Sequence, residues 1–183
     1  MRIISGTYKG KRLTAPKSLP VRPTTDFAKE ALFNILNHRI DFDEISMLDL
    51  FAGTGNISYE FASRGCNDIT CIDADYGCVK YIQRIAKELD LAIDTIKSDA
   101  FKYVNSVKRS FDVIFADPPY DFTVEELTRL IETIFERNMI KEDGMIIIEH
   151  TKHNDLSSIT NFSEARRYGG SVFSFFLPSP SIV

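Results

Sequence analysis

Two observations predict an α/β fold built on a doubly wound, mainly parallel sheet. From Ser46 onward, short apolar runs of strand length alternate with segments whose apolar residues recur at helical spacing. Near the end, Gly169-Gly170 separates two further runs, so an antiparallel hairpin is expected to close one edge of the sheet. A length of 183 residues, of which 44% are hydrophobic, suits one globular domain with a short appendage.

The elements follow in order along the chain. Parallel strands are predicted over residues 47–51, 69–72, 93–96, 111–116 and 144–149, and the hairpin over residues 162–168 and 172–177. Helices are predicted from the glycine turn at Gly53 to residue 61, over residues 79–89, 101–107 and 124–135. Before the first strand, Thr24 or Thr25 is suited to cap a helix that carries Phe27 and Ile35 on one face.

Residues 1–22 are strongly basic. They contain Arg2, Lys9, Lys11, Arg12, Lys17 and Arg22 without any acidic residue, whereas the whole chain has a net charge of −4. Residues 2–14 are predicted to form a small hairpin, because Gly6 and Gly10 separate short apolar runs. The expected division is a basic hairpin with its connector over residues 1–22 and the main domain over residues 23–183. Such a segment suits contacts with phosphate, or it is a solvated tail.

Several kinds of protein are disfavoured by composition. No apolar run approaches the roughly 20 residues of a membrane span, and residues 1–10 lack the apolar core of a signal peptide, so a cytoplasmic protein without membrane contact is expected. Cys66, Cys71 and Cys78 form no CxxC pair, which argues against disulfides and against a cysteine zinc site. His150 and His153 have no evident third ligand, so no metal is expected.

A glycine turn follows the first predicted strand and opens a helix. It comprises Phe51, Ala52, Gly53, Thr54, Gly55 and Asn56, with Asp49 just upstream. Ligands of open α/β sheets bind at this edge, and glycines allow a ligand to approach the backbone closely. A dinucleotide site would have a third glycine where Ser58 stands, and Asp49 would oppose a pyrophosphate. The turn therefore favours a cationic ligand such as S-adenosylmethionine, although glycines also occur in purely structural turns.

Acidic residues also follow the second and third strands. Asp73, 18 residues beyond Gly55, is placed to accept the hydroxyls of a ribose, with Ala74 beside it. The run Asp99-Ala100-Phe101 is a candidate contact for an adenine, although Asp99 would equally cap the helix that follows.

The most specific motif is Asp117-Pro118-Pro119-Tyr120, at the end of the fourth strand. Pro118 keeps Asp117 extended, and the two prolines form a rigid bend without N–H donors. The Asp117 carboxylate and the Pro118 carbonyl can then accept both hydrogens of a planar amino group and direct its lone pair at a methyl donor. Tyr120 is suited to stack on the attached ring. The alternative, a turn that merely ends the strand, is disfavoured by the glycine turn upstream.

At these residues the chain resembles class I S-adenosylmethionine-dependent methyltransferases, and more narrowly the bacterial 16S rRNA guanine-N2 methyltransferase family (RsmD). The resemblance covers nearly the whole length. It is carried by residues 2–6, 9–13, 22–26 (RPTTD), 29–36, 49–55, 63–65 and 117–120. The N-terminal segments are not general to methyltransferases and support the narrow assignment. Departures from the family pattern are Asn56, Ile57 and Ser58 after the turn, and Asp73 where the family usually has Glu.

The resemblance implies a seven-stranded sheet with a reversed final strand and methyl transfer to the exocyclic N2 of one guanine, S-adenosylmethionine becoming S-adenosylhomocysteine. The substrate would be 16S rRNA in the small ribosomal subunit or its assembly intermediate, with the enzyme acting as a monomer. By position, residues 49, 51–56, 73, 74 and 99–101 would line the cofactor, and residues 117–120 would hold the guanine. Arg22, Thr24 and Thr25 would border the active site, and Lys9, Lys11 and Arg12 are the candidate RNA contacts.

Other functions stay open at this stage. One is a methyltransferase for another amine, such as DNA adenine N6 or a protein glutamine, although the chain length leaves little room for a DNA-recognition segment. Another is an RNA- or nucleotide-binding module that retains the fold without turnover. A nicotinamide oxidoreductase is disfavoured by Ser58 and Asp49. Methylation of duplex DNA, or a failure to bind S-adenosylmethionine, would distinguish these functions.

Overall fold

The computed structural model describes residues 1–19 and 24–179, and this part of the chain forms one mixed sheet with helices on both faces. The helices are α1 (Asp26–Leu36), α2 (Asn56–Ser63), α3 (Tyr76–Glu88), α4 (Ala100–Ser106) and α5 (Val124–Glu136), and a short 3-10 helix spans Phe42–Glu44. The strands are β1 (Ser46–Asp49), β2 (Asp68–Asp73), β3 (Ile93–Lys97), β4 (Phe111–Ala116), β5 (Ile140–Thr151), β6 (Phe162–Tyr168) and β7 (Ser171–Phe176).

The seven strands lie in the order β3-β2-β1-β4-β5-β7-β6. The pairs from β3 through β5 are parallel, whereas β7 pairs antiparallel with both β5 and β6. The carboxyl ends of β1, β2, β4 and β5 therefore meet at one edge of the sheet. In an open α/β sheet, ligands bind at this edge, where the strand order reverses on either side of β1.

Alternating strand residues fill a separate hydrophobic cluster on each face of the sheet. On one face, Met47 and Phe115 pack with residues of α1, α2 and α3. On the other face, Leu48 and Ile114 pack with residues of α4 and α5. Because the central strands are buried on both faces, they appear in the sequence as continuous apolar runs.

The N-terminal segment, residues 1–13, packs against the domain. Its two arms are bridged in antiparallel fashion at Arg2 and Arg12, which is the hairpin that the glycines predict. Ile3 and Leu13 are buried and belong to the cluster that contains α1 and α2. The basic segment is therefore held to the body of the protein by apolar burial.

A buried ion pair fixes this segment to α1 and α2. The carboxylate of Glu60 accepts hydrogen bonds from the backbone N–H groups of Ile4 (2.8 Å) and Ser5 (3.0 Å). It lies 3.6 Å from the ammonium group of Lys29, and both side chains are almost completely buried. Lys29 also donates a 2.6 Å hydrogen bond to the carbonyl of Arg2.

The structure confirms the predicted fold and corrects some bounds. β4 and β6 occupy the predicted residues, and the antiparallel hairpin at Gly169-Gly170 is confirmed. β5 is longer than predicted, because Ile140 already pairs with Phe111 across a bulge and the pairing with β7 continues to Thr151. The proposed division between residues 22 and 23 falls outside the described residues and stays a prediction.

Candidate active site

A cavity of about 510 Å³ opens at the carboxyl edge of the sheet. It brings together most of the residues that the sequence marks: Thr24, Asp49, Phe51, Ala52, Gly53, Thr54, Asn56, Asp73, Ala74, Asp99, Asp117, Pro118, Pro119 and Tyr120. Its walls also include Ile57, Asp75, Cys78, Phe115 and Phe122, which the sequence analysis did not assign to the site. Motifs that are 68 residues apart in the chain, Asp49 and Asp117, thus face one space.

At the glycine turn, part of the cavity wall is backbone without a side chain, at Gly53. Gly53 and Gly55 both have positive φ angles, +54° and +80°. A Cβ atom on Gly55 would lie 2.8 Å from the ring of Tyr59, so a side chain at this position is excluded by both conformation and space. Gly55 is the N-cap residue of α2 and supports the turn from behind, while Gly53 lines the cavity.

Asp73 joins two backbone segments at the cavity wall. One carboxylate oxygen accepts a hydrogen bond from the N–H of Gly53 (2.7 Å), and the other accepts from the N–H of Asp75 (2.8 Å). Burial raises the pKa of Asp73, although these two hydrogen bonds oppose the shift. A carboxylate has about four lone-pair positions, so Asp73 keeps acceptor capacity for a pair of hydroxyl groups.

Asp49 is buried at the end of β1, where Ser58 holds it. The Ser58 hydroxyl donates a 2.7 Å hydrogen bond to the carboxylate, and the Cys71 thiol donates in turn to the Ser58 oxygen (3.0 Å). Burial raises the pKa of Asp49 to about 7. Ser58, which the sequence analysis treated only as a missing glycine, therefore supports the carboxyl group that the same analysis selected.

Asp99 caps a helix, as the sequence allowed, and it also lies at the cavity, whereas its proposed contact with an adenine stays a prediction. It lines the cavity, and its carboxylate caps α4 by accepting a hydrogen bond from the N–H of Lys102 (2.9 Å). Phe101 stands behind the wall, with its ring 6.3 Å from that of Phe122 and nearly parallel to it. Phe122 is the aromatic residue that lines the cavity here, and the buried Ala100 lies outside the lining.

The Asp117–Tyr120 motif leaves the end of β4 and forms the opposite wall. Tyr120 is 56% exposed and lines the cavity, and an aromatic ring there suits contact with a planar ligand. Burial raises the pKa of Asp117 well above its usual value, and the nearby Glu149 and Asp49 raise it further. An acidic pair with shifted pKa values in a cleft is typical of a functional site.

Glu149, at the carboxyl end of β5, is a polar residue that the sequence analysis missed. It is 2% exposed, and each of its carboxylate oxygens accepts one hydroxyl hydrogen bond, from Thr24 (2.8 Å) and from Ser171 (2.7 Å). Burial raises its pKa, and the two hydroxyl donors oppose the increase. The sequence placed Glu149 at the end of a buried strand but contained no local signal for its neighbours.

The predicted RNA contacts lie apart from the cavity. Lys11 is 3.9 Å from Glu88 near the end of α3, and Lys9 lies in the turn beside Ser63 at the end of α2. These helices begin at the cavity and end away from it.

The remaining predicted substrate contacts have other positions. Arg12 is bridged to Arg2 through the backbone. Thr25 caps α1 by accepting a hydrogen bond from the N–H of Ala28 (3.2 Å), and Arg22 lies outside the described residues. Among the predicted substrate contacts that the structure describes, Thr24 is the one that lines the cavity.

Two features are absent from the part of the chain that the structure describes. No helix in residues 1–19 and 24–179 is both long and apolar enough to span a membrane. Over the same ranges, no cluster of three or more His, Cys, Asp or Glu side chains is arranged to hold a metal ion.

The sheet order and the position of the cavity are those of the class I S-adenosylmethionine-dependent methyltransferase fold. A solved structure of the same fold is the Thermus thermophilus 16S rRNA N2 G1207 methyltransferase in complex with AdoMet and guanosine. It superposes with a TM-score of 0.70 at 18% identity and covers 88% of this chain and 45% of that one.

The chain belongs to the family described as Conserved hypothetical protein 95, whose model matches residues 1–177. A Bacillus subtilis protein named "Putative rRNA methyltransferase YlbH" is 35% identical over 161 residues, which is 85% of each chain. The Escherichia coli protein named Ribosomal RNA small subunit methyltransferase D is 30% identical over 168 residues, or 87% of this chain and 79% of that one. The family resemblance in the sequence is thereby confirmed.

Proposed function

We propose that this protein transfers a methyl group from S-adenosylmethionine to the exocyclic N2 of a guanine in 16S rRNA. The observation that supports this function best is the single cavity that the glycine turn and the Asp117–Tyr120 motif share. A relative that matches most of the chain is named for methylation of small-subunit ribosomal RNA. A neighbour in fold carries AdoMet and guanosine together.

The residues of the cavity suit S-adenosylmethionine, which supplies an activated methyl group on a sulfonium sulfur. Asp73 has free lone pairs for the two ribose hydroxyls, and the bare backbone at Gly53 admits the ligand closely. Asp49 offers a carboxylate to the positive charges of the methionine part. Asp99 and the Phe122 ring form the part of the wall that suits an adenine. We assign the cofactor role to these residues and to their neighbours in the turn.

The Asp117–Tyr120 motif would hold the guanine. The Asp117 carboxylate and the Pro118 carbonyl accept the two hydrogens of the amino group, so its lone pair is withdrawn from conjugation with the ring and is directed at the methyl donor. Tyr120 stacks on the base, an interaction worth about 1–3 kcal/mol. The guanine has to be unpaired or flipped, because stacking in a duplex hides its amino group from the cavity.

Positioning supplies most of the catalysis in this proposal. The methyl group is already activated, so the site needs to hold the nucleophile and the methyl carbon in line. The amino group needs no prior deprotonation. After the transfer the nitrogen is cationic and acidic, and the Asp117 carboxylate stands next to it to take the proton.

The substrate is proposed to be the small ribosomal subunit or its assembly intermediate in the cytoplasm, with the enzyme acting as a monomer. Lys9, Lys11 and Arg12 form the proposed phosphate contacts of the N-terminal segment, together with Arg22. Because Lys9 and Lys11 lie beyond the far ends of α2 and α3, they would contact RNA at a distance from the target base.

The test is methyl transfer to ribosomal particles from cells that lack this protein. With radiolabelled S-adenosylmethionine, the label should enter 16S rRNA and appear as N2-methylguanine after digestion to nucleosides. Particles from cells that contain the protein serve as the control and should accept little label. Label in adenine, in duplex DNA or in a protein, or no label in any of them, would contradict the proposal.

A further inference from the structure

Glu149 stands beside Asp117 although it belongs to no motif of the sequence. Parallel β4 and β5 pair Ala116 with Ile148, so the next residues on the two strands, Asp117 and Glu149, are neighbours on one face of the sheet. Adjacent strands lie about 4.8 Å apart, and at this range the negative charge of Glu149 raises the pKa of Asp117. Asp117 lines the cavity, and Glu149 is buried next to it towards the carboxyl end of β5.

The hydrogen bonds favour the ionised form of Glu149. Both of its oxygens accept hydroxyl hydrogen bonds, one from Thr24 in the cavity wall and one from Ser171 at the start of β7. Donors of this kind stabilise a carboxylate over a carboxylic acid. Burial and the neighbouring acids, in contrast, raise the pKa of Asp117 well above its usual value. When the pair holds one proton, that proton resides on Asp117.

We propose that Glu149 is a positioning residue for methyl transfer: held by Thr24 and Ser171, it keeps a negative charge beside Asp117 and makes Asp117 a strong proton acceptor for the methylated amine. This inference rests on the proposed function and deepens it. Glu149 acts through Asp117, and through Thr24 it also fixes a part of the cavity wall.

The negative charge of Glu149 affects the step in which the methylated nitrogen releases a proton. The amine nitrogen bonds to the methyl carbon while the carbon–sulfur bond breaks, and the electron pair of that bond stays on sulfur. The nitrogen then loses one proton to the Asp117 carboxylate, which passes it to solvent. Asp117 has to be ionised to do so, and the acids that face it are Asp49 from β1 and Glu149 from β5. The rate therefore rises with pH as Asp117 loses its proton.

Glu149→Gln tests the inference, because glutamine keeps the size of the side chain and removes its charge. Without that charge, Asp117 loses its proton more easily, and the acid limb of kcat against pH should move to lower pH by about one to two units. Binding of S-adenosylmethionine, measured by calorimetry, should be retained and reports that the variant is folded. A purely structural role would lower kcat at every pH and leave the limb in place.

Glu142→Gln is the matched control. Glu142 lies on the same strand but is exposed and seven residues away, towards the opposite end of β5, so the variant changes the net charge equally. Its acid limb should coincide with that of the wild-type enzyme. An equal shift in both variants would show a general effect of net charge and would overturn the inference.

Ser171→Ala provides a second route if Glu149→Gln does not bind the cofactor. It removes one hydroxyl donor from Glu149, which then competes with Asp117 for the proton, so the limb should move in the same direction by a smaller amount. A limb that stays in place in both variants, or moves to higher pH, overturns the inference. Wild-type enzyme that transfers no methyl group to guanine would instead reject the proposed function, and this inference with it.

Discussion

Replacing Gly6 by alanine measures how closely the N-terminal segment is fixed to α2. Gly6 has a φ of +82°, and a Cβ atom on it would lie 1.7 Å from the carbonyl oxygen of Ser63 and 2.8 Å from the backbone nitrogen of Arg64. Both contacts are with backbone, which cannot rotate away. The segment would have to move off α2 to accommodate one methyl group.

The structure allows the cost to be estimated from its parts. Alanine at a positive φ costs roughly 1–2 kcal/mol. Moving the segment also breaks the hydrogen bonds from the N–H of Thr7 to the Ser63 carbonyl (2.7 Å) and from the N–H of Tyr8 to the Ser63 hydroxyl (3.0 Å), each worth about 0.5–1.5 kcal/mol. We expect Gly6→Ala to lower the free energy of unfolding by about 2–5 kcal/mol.

Gly10→Ala is the matched control in the same turn. Gly10 has a φ of +84°, almost equal to that of Gly6, but a Cβ atom there would meet no atom within 4 Å. This variant should therefore lose only the conformational cost of roughly 1–2 kcal/mol. Urea denaturation followed by circular dichroism gives both free energies. If the two variants lost the same stability, the close packing of residues 6–8 on α2 would be refuted.

Three further predictions concern the site and the basic segment. Asp117→Ala should abolish methyl transfer while calorimetry still detects S-adenosylmethionine binding; loss of both together would show that Asp117 belongs to the cofactor site. The pKa of Asp49 is raised to about 7 in the folded protein, so its contribution to stability is present at low pH and is lost as the pH rises from about 4 to 7. Asp49→Asn should reduce the decrease in the free energy of unfolding between pH 5 and pH 8, measured by urea denaturation, by up to a few kcal/mol. An equal decrease in the variant and the wild-type protein would contradict the burial argument. Replacing Lys9, Lys11 and Arg12 by glutamine should weaken RNA binding and make its salt dependence shallower, whereas unchanged affinity across salt would remove these residues from the RNA interface.

Local pattern was sufficient to predict most of the fold. The central strands are apolar over their whole length because both faces of the sheet are covered, and α5 shows its buried face at regular helical spacing. The cavity residues in the glycine turn and in the Asp117 motif were also predictable, because each follows directly on a strand. Their meeting in one cavity follows from the rule that parallel strands end at a common edge.

Contacts that depend on strand pairing or on tertiary packing could not be predicted from the sequence. Glu149 becomes a neighbour of Asp117 only through the register of β4 and β5, and no spacing along the chain encodes that register. Glu60 and Lys29 appear in the sequence as ordinary polar residues of two helices. Their burial as an ion pair depends on the N-terminal segment covering α1 and α2, which is a tertiary event.

The proposal that cofactor and amine occupy one cavity is tested most directly by a crystal structure with S-adenosylhomocysteine bound. The account predicts that the ribose hydroxyls contact Asp73 and that the sulfur atom lies between the Gly53 turn and Asp117, with room for one carbon on the Asp117 side. A ligand bound elsewhere, or a sulfur atom that faces away from Asp117, would contradict it.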